Sequence, residues 1–179
     1  MTSAVFAAAV IIILCTRRIF VRIIVMSDSH GSKSNLDRIL DATKDTGNIF
    51  VHLGDGEREL DLLRSKYPSL DIRHCSGNCD YASMSPNFDI IIAGDVKVFY
   101  THGHLYGVKH GTETLRSLAR DRGCSVVLFG HTHCRYQQYE DGIYLLNPGS
   151  CSCPRDFTKP SYGYVDITPS GIITNIVEL

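Results

Sequence analysis

Apolar positions along the chain fall into two rhythms. Short β-branched or aromatic runs at Val21–Val25, Asn48–Leu53 and Leu70–His74 read as strands in the front half. Between them, Ser34–Thr43 sets Leu36, Ile39 and Leu40 at helical spacing, with Ser32 or Ser34 as candidate N-cap. A second helix is expected over Glu57–Tyr67, with Leu60, Leu62 and Leu63 as its apolar positions and Pro68 as its stop. Phe88–Ala93 and Val96–Thr101 flank Gly94-Asp95, which predicts a hairpin. Thr112–Arg122 reads as a third helix ended by Gly123, and Ser125–Phe129 as a buried strand. Arg135–Tyr139, Ile143–Leu146, Tyr162–Ile167 and Ile172–Val177 are strands, turned at Asp141-Gly142 and Ser170-Gly171. Alternating βα units followed by a strand-rich back half predict an α/β fold, a mixed sheet covered by helices.

Polar residues gather where the clearest strands stop. The clusters are Ser27-Asp28-Ser29-His30, Gly54-Asp55, Cys75 to Asp80, Thr101-His102-Gly103-His104 and Gly130-His131-Thr132-His133. Sites in α/β sheets lie beyond the carboxyl ends of strands, so these clusters are expected on one rim. Asp28/His30 and His131/His133 are i,i+2 pairs, which share one side of an extended chain. Each position has an ordinary reading of its own. Asp28 could cap a helix, Asp55 and Asn78 could be turn residues, and a single loop histidine is usually solvated. Their joint occurrence at successive strand ends favours a metal centre.

The candidate donors are Asp28, His30, Asp55, Asn78, His102, His131 and His133. Seven nitrogen and oxygen donors exceed one tetrahedral shell but suit two divalent ions bridged by a carboxylate. Two such ions exceed the charge of the two aspartates, and the surplus would attract a phosphoryl group and lower the pKa of a bridging water. The mixed donor set accepts manganese, iron, zinc, cobalt or nickel and does not choose among them; manganese is the first expectation on other grounds than the ligands.

Composition narrows the remaining classes. At 179 residues, with 44% hydrophobic and 21% charged, one ordinary globular domain is expected. A net charge of −1 argues against binding duplex nucleic acid. Seven cysteines, an odd number, suit reduced thiols in a cytoplasm better than a disulfide framework. Cys75 with Cys79, and Cys151 with Cys153, are poorly spaced for a zinc site. Ala4–Cys15 is apolar and followed by Arg17 and Arg18, but it is shorter than the ~18–20 residues that span a bilayer. Residues 1–19 therefore read as an N-terminal extension with no stable membrane insertion, and 20–179 as the domain.

The ordered motifs are D-S-H at 28–30, G-D at 54–55, G-N-C-D at 77–80, T-H-G-H at 101–104, G-H-T-H at 130–133 and N-P-G-S at 147–150. They resemble the calcineurin-like metallophosphoesterases, and most closely the compact YfcE-type phosphodiesterase branch. The resemblance implies a four-layer αββα sandwich of two mixed sheets flanked by helices. It also implies that Asp28, His30 and His133 hold one metal, that Asn78, His102 and His131 hold the other, and that Asp55 bridges them. The implied activity is hydrolysis of a small phosphodiester by a metal-bridging hydroxide, with monoesters as a second activity and homo-oligomerisation allowed.

One position departs from the family pattern. Many members carry a histidine after the motif asparagine to protonate the leaving group. Here Cys79 stands there, and a thiol is a weaker acid. His104 is a candidate substitute and Asp80 a candidate support for a ligand, so the general acid is left unassigned. Arg155 and Lys109 could reach a phosphate, though solvated surface is the default reading for both. A scaffold branch, the small retromer subunit, keeps this fold but binds proteins; its substituted ligand positions contrast with the seven donors present here.

Overall fold

The computed structural model describes residues 20–179; the apolar run Ala4–Cys15 and the rest of 1–19 lie outside the described residues. Ten strands and three helices follow the expected order. The front half runs β1 (Val21–Met26), α1 (Lys33–Thr43), β2 (Ile49–His52), α2 (Glu57–Lys66) and β3 (Ile72–His74). The hairpin β4 (Phe88–Ala93) and β5 (Val96–Thr101) then leads to α3 (Glu113–Arg122) and β6 (Val126–Leu128). The back half is β7 (Arg135–Glu140), β8 (Ile143–Pro148), β9 (Ser161–Thr168) and β10 (Gly171–Glu178).

These strands form two five-stranded mixed sheets, ordered β10-β9-β1-β2-β3 and β4-β5-β6-β8-β7. The periodicity alone suggests one sheet; the two-sheet sandwich implied by the family resemblance is what the chain adopts. Strands β1, β2 and β3 run parallel in the first sheet, as do β5, β6 and β8 in the second. Antiparallel β9 and β4 flank these parallel cores, β10 lies beyond β9, and β7 closes the far edge of the second sheet.

Side-chain alternation explains the layering. Ile23, Val25, Val51 and Leu53 point inward from the first sheet to meet Val98, Tyr100, Val126 and Leu128 from the second. The opposite face of the first sheet presents Ile24, Met26 and Phe50 to Leu36, Ile39 and Leu40 of α1 and to Leu60 and Leu63 of α2. Phe99, Val127 and Leu145 face outward from the second sheet onto Leu115 and Ala119 of α3. The result is a four-layer αββα sandwich.

Two local expectations need correction. Leu62 is 54% exposed, because the stripe of α2 that faces the sheet passes through Leu60 and Leu63 and leaves Leu62 outside. Ser32 occupies the N-cap position of α1 but makes no side-chain capping bond, while Ser34 lies inside the helix. No helix of the described residues is long and apolar enough to cross a membrane. The six described cysteines are all free thiols.

Candidate metal centre

Loops following β1, β2 and β3 of the first sheet meet those following β5 and β6 of the second at one rim. Backbone bonds stitch them together. The amides of Asp28 and His30 donate to the carbonyls of Gly54 and Asp55 at 3.1 and 3.0 Å, and Gly130 donates to the His102 carbonyl at 3.0 Å. The His131 amide crosses between sheets to the Asp28 carboxylate at 3.1 Å.

The local backbone differs from the extended chain assumed for the i,i+2 pairs. Asp28, His30, Asp55, His131 and His133 all have left-handed φ, between 42° and 69°. Such non-glycine conformations cost on the order of 1 kcal/mol or more each and persist where surrounding structure holds them. The donors converge through tight curls of the loops. Crowding sets the other constraint: a Cβ on Gly77 would sit 2.1 Å from Asp55 Oδ1, so only glycine lets this loop approach.

All seven sequence-predicted donors come together, in two sets. Ligand atoms of Asp28, His30 and His133 lie within 4.8 Å of one another, with the two histidine Nε2 atoms 3.1 Å apart. In the other set, His102 Nε2 is 3.1 Å from Asn78 Oδ1 and 3.2 Å from His131 Nδ1. Asp55 Oδ2 sits between the sets, 3.7 Å from His30 Nε2 and 3.5 Å from His102 Nε2.

The chemistry of this donor set fits divalent cations. His102 Nδ1 donates to the Leu53 carbonyl at 2.8 Å and His133 Nδ1 to the Cys153 carbonyl at 2.7 Å, which leaves both Nε2 lone pairs aimed into the centre. Asp28 Oδ1 is buried there without a hydrogen-bond donor, an arrangement that is costly unless a cation occupies the space. Burial alone would raise the Asp28 carboxyl, but His133, His102 and Ser27 hold it below the usual carboxylate range. Burial, with His102 and Lys109 adding to it, pushes His131 down to about 4, so its ring is neutral and able to ligate at neutral pH.

Supporting residues are also in place. Asp80 accepts four backbone N–H groups, those of Asp55, Gly56, Glu57 and Gly77, at 2.8 to 3.0 Å. Burial opposes its ionisation, yet the His74 contact and these amides hold its carboxyl far below the ordinary value. Asn147, fully buried at the end of β8, donates to the Gly130 carbonyl and to Thr132 Oγ1, both at 3.0 Å, and so clamps the G-H-T-H loop. Ser150 Oγ donates to the Asp28 carbonyl at 2.7 Å. The sequence reading assigned no role to Asn147 or Ser150; the available signal was a sixth polar cluster closing a buried strand.

The candidate proton donors differ in their settings. Cys79 is exposed, its amide donates to Asp55 Oδ1 at 2.7 Å, and burial of its thiol together with Asp55 pushes it up to about 11. His104 opens a short 3-10 turn, His104–Tyr106, with its ring centroid 5.3 Å from that of His102. Burial and His102 lower its pKa. Lys109 and Arg155, taken as surface positions, line a common cavity beside the G-H-T-H loop.

Comparison with known proteins places the chain in a family. Residues 21–170 match the calcineurin-like phosphoesterase superfamily domain. The chain is 31% identical over 146 residues to the probable metallophosphoesterase YsnB of Bacillus subtilis, covering 81% of this chain and 83% of that protein. It is 30% identical over 168 residues to phosphodiesterase YfcE of Escherichia coli, covering 81% and 87%. Vacuolar protein sorting-associated protein 29 of Schizosaccharomyces pombe is 36% identical over 123 residues, covering 64% and 65%. A crystal structure of a predicted phosphoesterase from Streptococcus pneumoniae superposes with a TM-score of 0.79 at 30% identity, covering 89% of this chain and 90% of that one. The chain belongs to the calcineurin-like phosphoesterase superfamily.

Proposed function

We propose that this protein is a phosphodiesterase with a dinuclear metal centre, acting on a small phosphodiester. The observation that carries the reading is the division of seven donors into two sets with Asp55 between them. Asp28, His30 and His133 would hold one ion and Asn78, His102 and His131 the other. When bound, two divalent ions supply positive charge to the phosphoryl oxygens and a water acidified enough to serve as nucleophile. The chain's own part is to hold that geometry. Carbonyls of Leu53 and Cys153 fix the tautomers of His102 and His133, and Asp80 fixes the backbone that carries Asp55. With a thiol raised to about 11 at Cys79, protonation of the leaving group is weak, so substrates with acidic leaving groups are favoured. A series of aryl diesters should show rates rising steeply as leaving-group pKa falls; a flat series would count against this.

The relative named as a vacuolar sorting protein supports a second reading, a protein-binding scaffold on the same fold. The complete donor set favours catalysis over it. The two are separated by elemental analysis of the full chain reconstituted with manganese, nickel, zinc, iron or cobalt. Each form is then assayed on bis(4-nitrophenyl) phosphate and 4-nitrophenyl phosphate. Two ions per chain and faster turnover of the diester are expected. A chain that binds two metals and cleaves neither ester would favour the scaffold.

A further inference from the structure

Two cavities of about 560 and 500 Å³ flank the centre, and their charges are opposite. The first, on the His30, Asp55 and Cys79 side, is also lined by Glu57, Glu59, Asp61 and Asp80, with Arg58 its one lysine or arginine among the described residues. The second lies past Thr132 and Cys134, which bracket His133, and carries no carboxylate among the described residues. Its wall is apolar, built from Val108, Phe129 and Tyr136, with the two ring centroids 5.7 Å apart. Three cations line it. Arg135 is tied to Glu178 and to the Lys159 carbonyl. Lys109 and Arg155 are exposed and have no carboxylate partner among the described residues.

Both cations belong to a cavity wall that adjoins the His133 loop. The Arg155 amide donates to the His133 carbonyl at 3.0 Å, and Lys109 lines the same cavity as Thr132 and Cys134, the neighbours of His133. An apolar wall with unpaired cations at its edge complements a group that has an apolar face and an anionic substituent. The acidic cavity on the other side repels the same group, so the two ester arms of a substrate are not interchangeable.

We propose that the Lys109/Arg155 cavity is the subsite for one ester arm of the substrate, an aromatic or heteroaromatic group carrying a second negative charge. This rests on the phosphodiesterase reading and specifies its substrate class. The arm lies against Phe129 and Tyr136, its anion meets Lys109 and Arg155, and the opposite arm, neutral or cationic, projects toward the acidic cavity.

The test compares 4-nitrophenyl phenyl phosphate with 4-nitrophenyl 4-carboxyphenyl phosphate on the metal-loaded full chain. Both release the same leaving group and differ only in the carboxylate on the retained arm. The carboxylated diester should have a kcat/KM about three- to tenfold higher, the order expected for one or two partly exposed charge pairs. That ratio should fall toward one in K109Q/R155Q, survive in the charge-preserving K109R/R155K, and shrink with added salt. Equal kcat/KM values in the native chain would overturn the subsite and leave the phosphodiesterase reading intact. Should neither diester be cleaved, that reading fails, and calorimetry with 4-phosphonobenzoate decides the cavity. Binding several-fold weaker in K109Q/R155Q keeps it as an aromatic-anion site, and binding unaffected by the substitution overturns it.

Discussion

Asp80→Ala tests whether the loop carrying Asp55 is held by one carboxylate. The native side chain is 5% exposed and accepts four backbone amides at 2.8 to 3.0 Å. Its removal leaves four N–H groups without their charged acceptor. A charge-assisted bond contributes ~1.5 kcal/mol or more, but one carboxylate shares four, and water entering from the adjoining cavity restores part of the loss. A net destabilisation of ~3 kcal/mol follows, which for a domain of this size lowers Tm by about 6–12 °C. Asp80→Asn should rescue little, because its amide nitrogen would face two of the same donors. Urea unfolding in the presence of a chelator removes any contribution from bound metal. The folded-state pKa of Asp80 is depressed, so its stabilisation is complete above the unfolded value of about 4 and lost as pH falls below it. The stability gap between native and variant chains should therefore narrow as pH drops from about 5 to about 2. A gap under about 1 kcal/mol at neutral pH, or one that ignores pH across that window, would refute the reasoning.

Other predictions follow from the same geometry. Asp55→Ala should strip or weaken both ions together and reduce turnover by more than the ~10–100-fold typical of losing a supporting partner, read by metal content and kcat; wild-type turnover with two bound metals would exclude the bridging role. Asn147→Ala keeps every donor yet frees the G-H-T-H loop, so it should cost ~1–3 kcal/mol in unfolding experiments and weaken metal binding in a competition titration. Protons compete with metal for imidazole, so occupancy after dialysis should decline below about pH 6. The loss should begin with the set containing His133, whose pKa the Asp28 contact raises against the opposing effect of burial, and end with the set containing His131, held near 4.

Fold and site were not equally legible in the residues. Element order followed from periodicity because β-branched runs and Leu-bearing helical stretches alternate cleanly, and the Gly94-Asp95 turn fell where the register pairs Ala93 with Val96. The split into two sheets was not legible from local pattern, since nothing in Val96–Thr101 says which neighbour it will pair with; the motif resemblance supplied it. Which side chains gather at the rim was readable because carboxylate, amide and imidazole groups at strand ends are costly without a purpose. How they converge was not. The i,i+2 argument presumed extended chain, whereas Asp28, His30, His131 and His133 curl through left-handed backbone that long-range bonds such as His131 N–H to Asp28 hold in place. Asn147 and Ser150 escaped a role for a related reason: each bonds a loop distant in sequence, and only the folded chain brings them to it.

Every one of the two donor sets draws on both layers of the sandwich. Asp28 and His30 extend from the first sheet and His133 from the second; Asn78 extends from the first, and His102 and His131 from the second. An ion in either set would thus act as a rivet between sheets that are otherwise joined, at this rim, by a few loop hydrogen bonds. Loading the centre would stiffen the whole sandwich by mass action, in proportion to the logarithm of free metal over its dissociation constant. Metal supply would then set how stable the folded chain is.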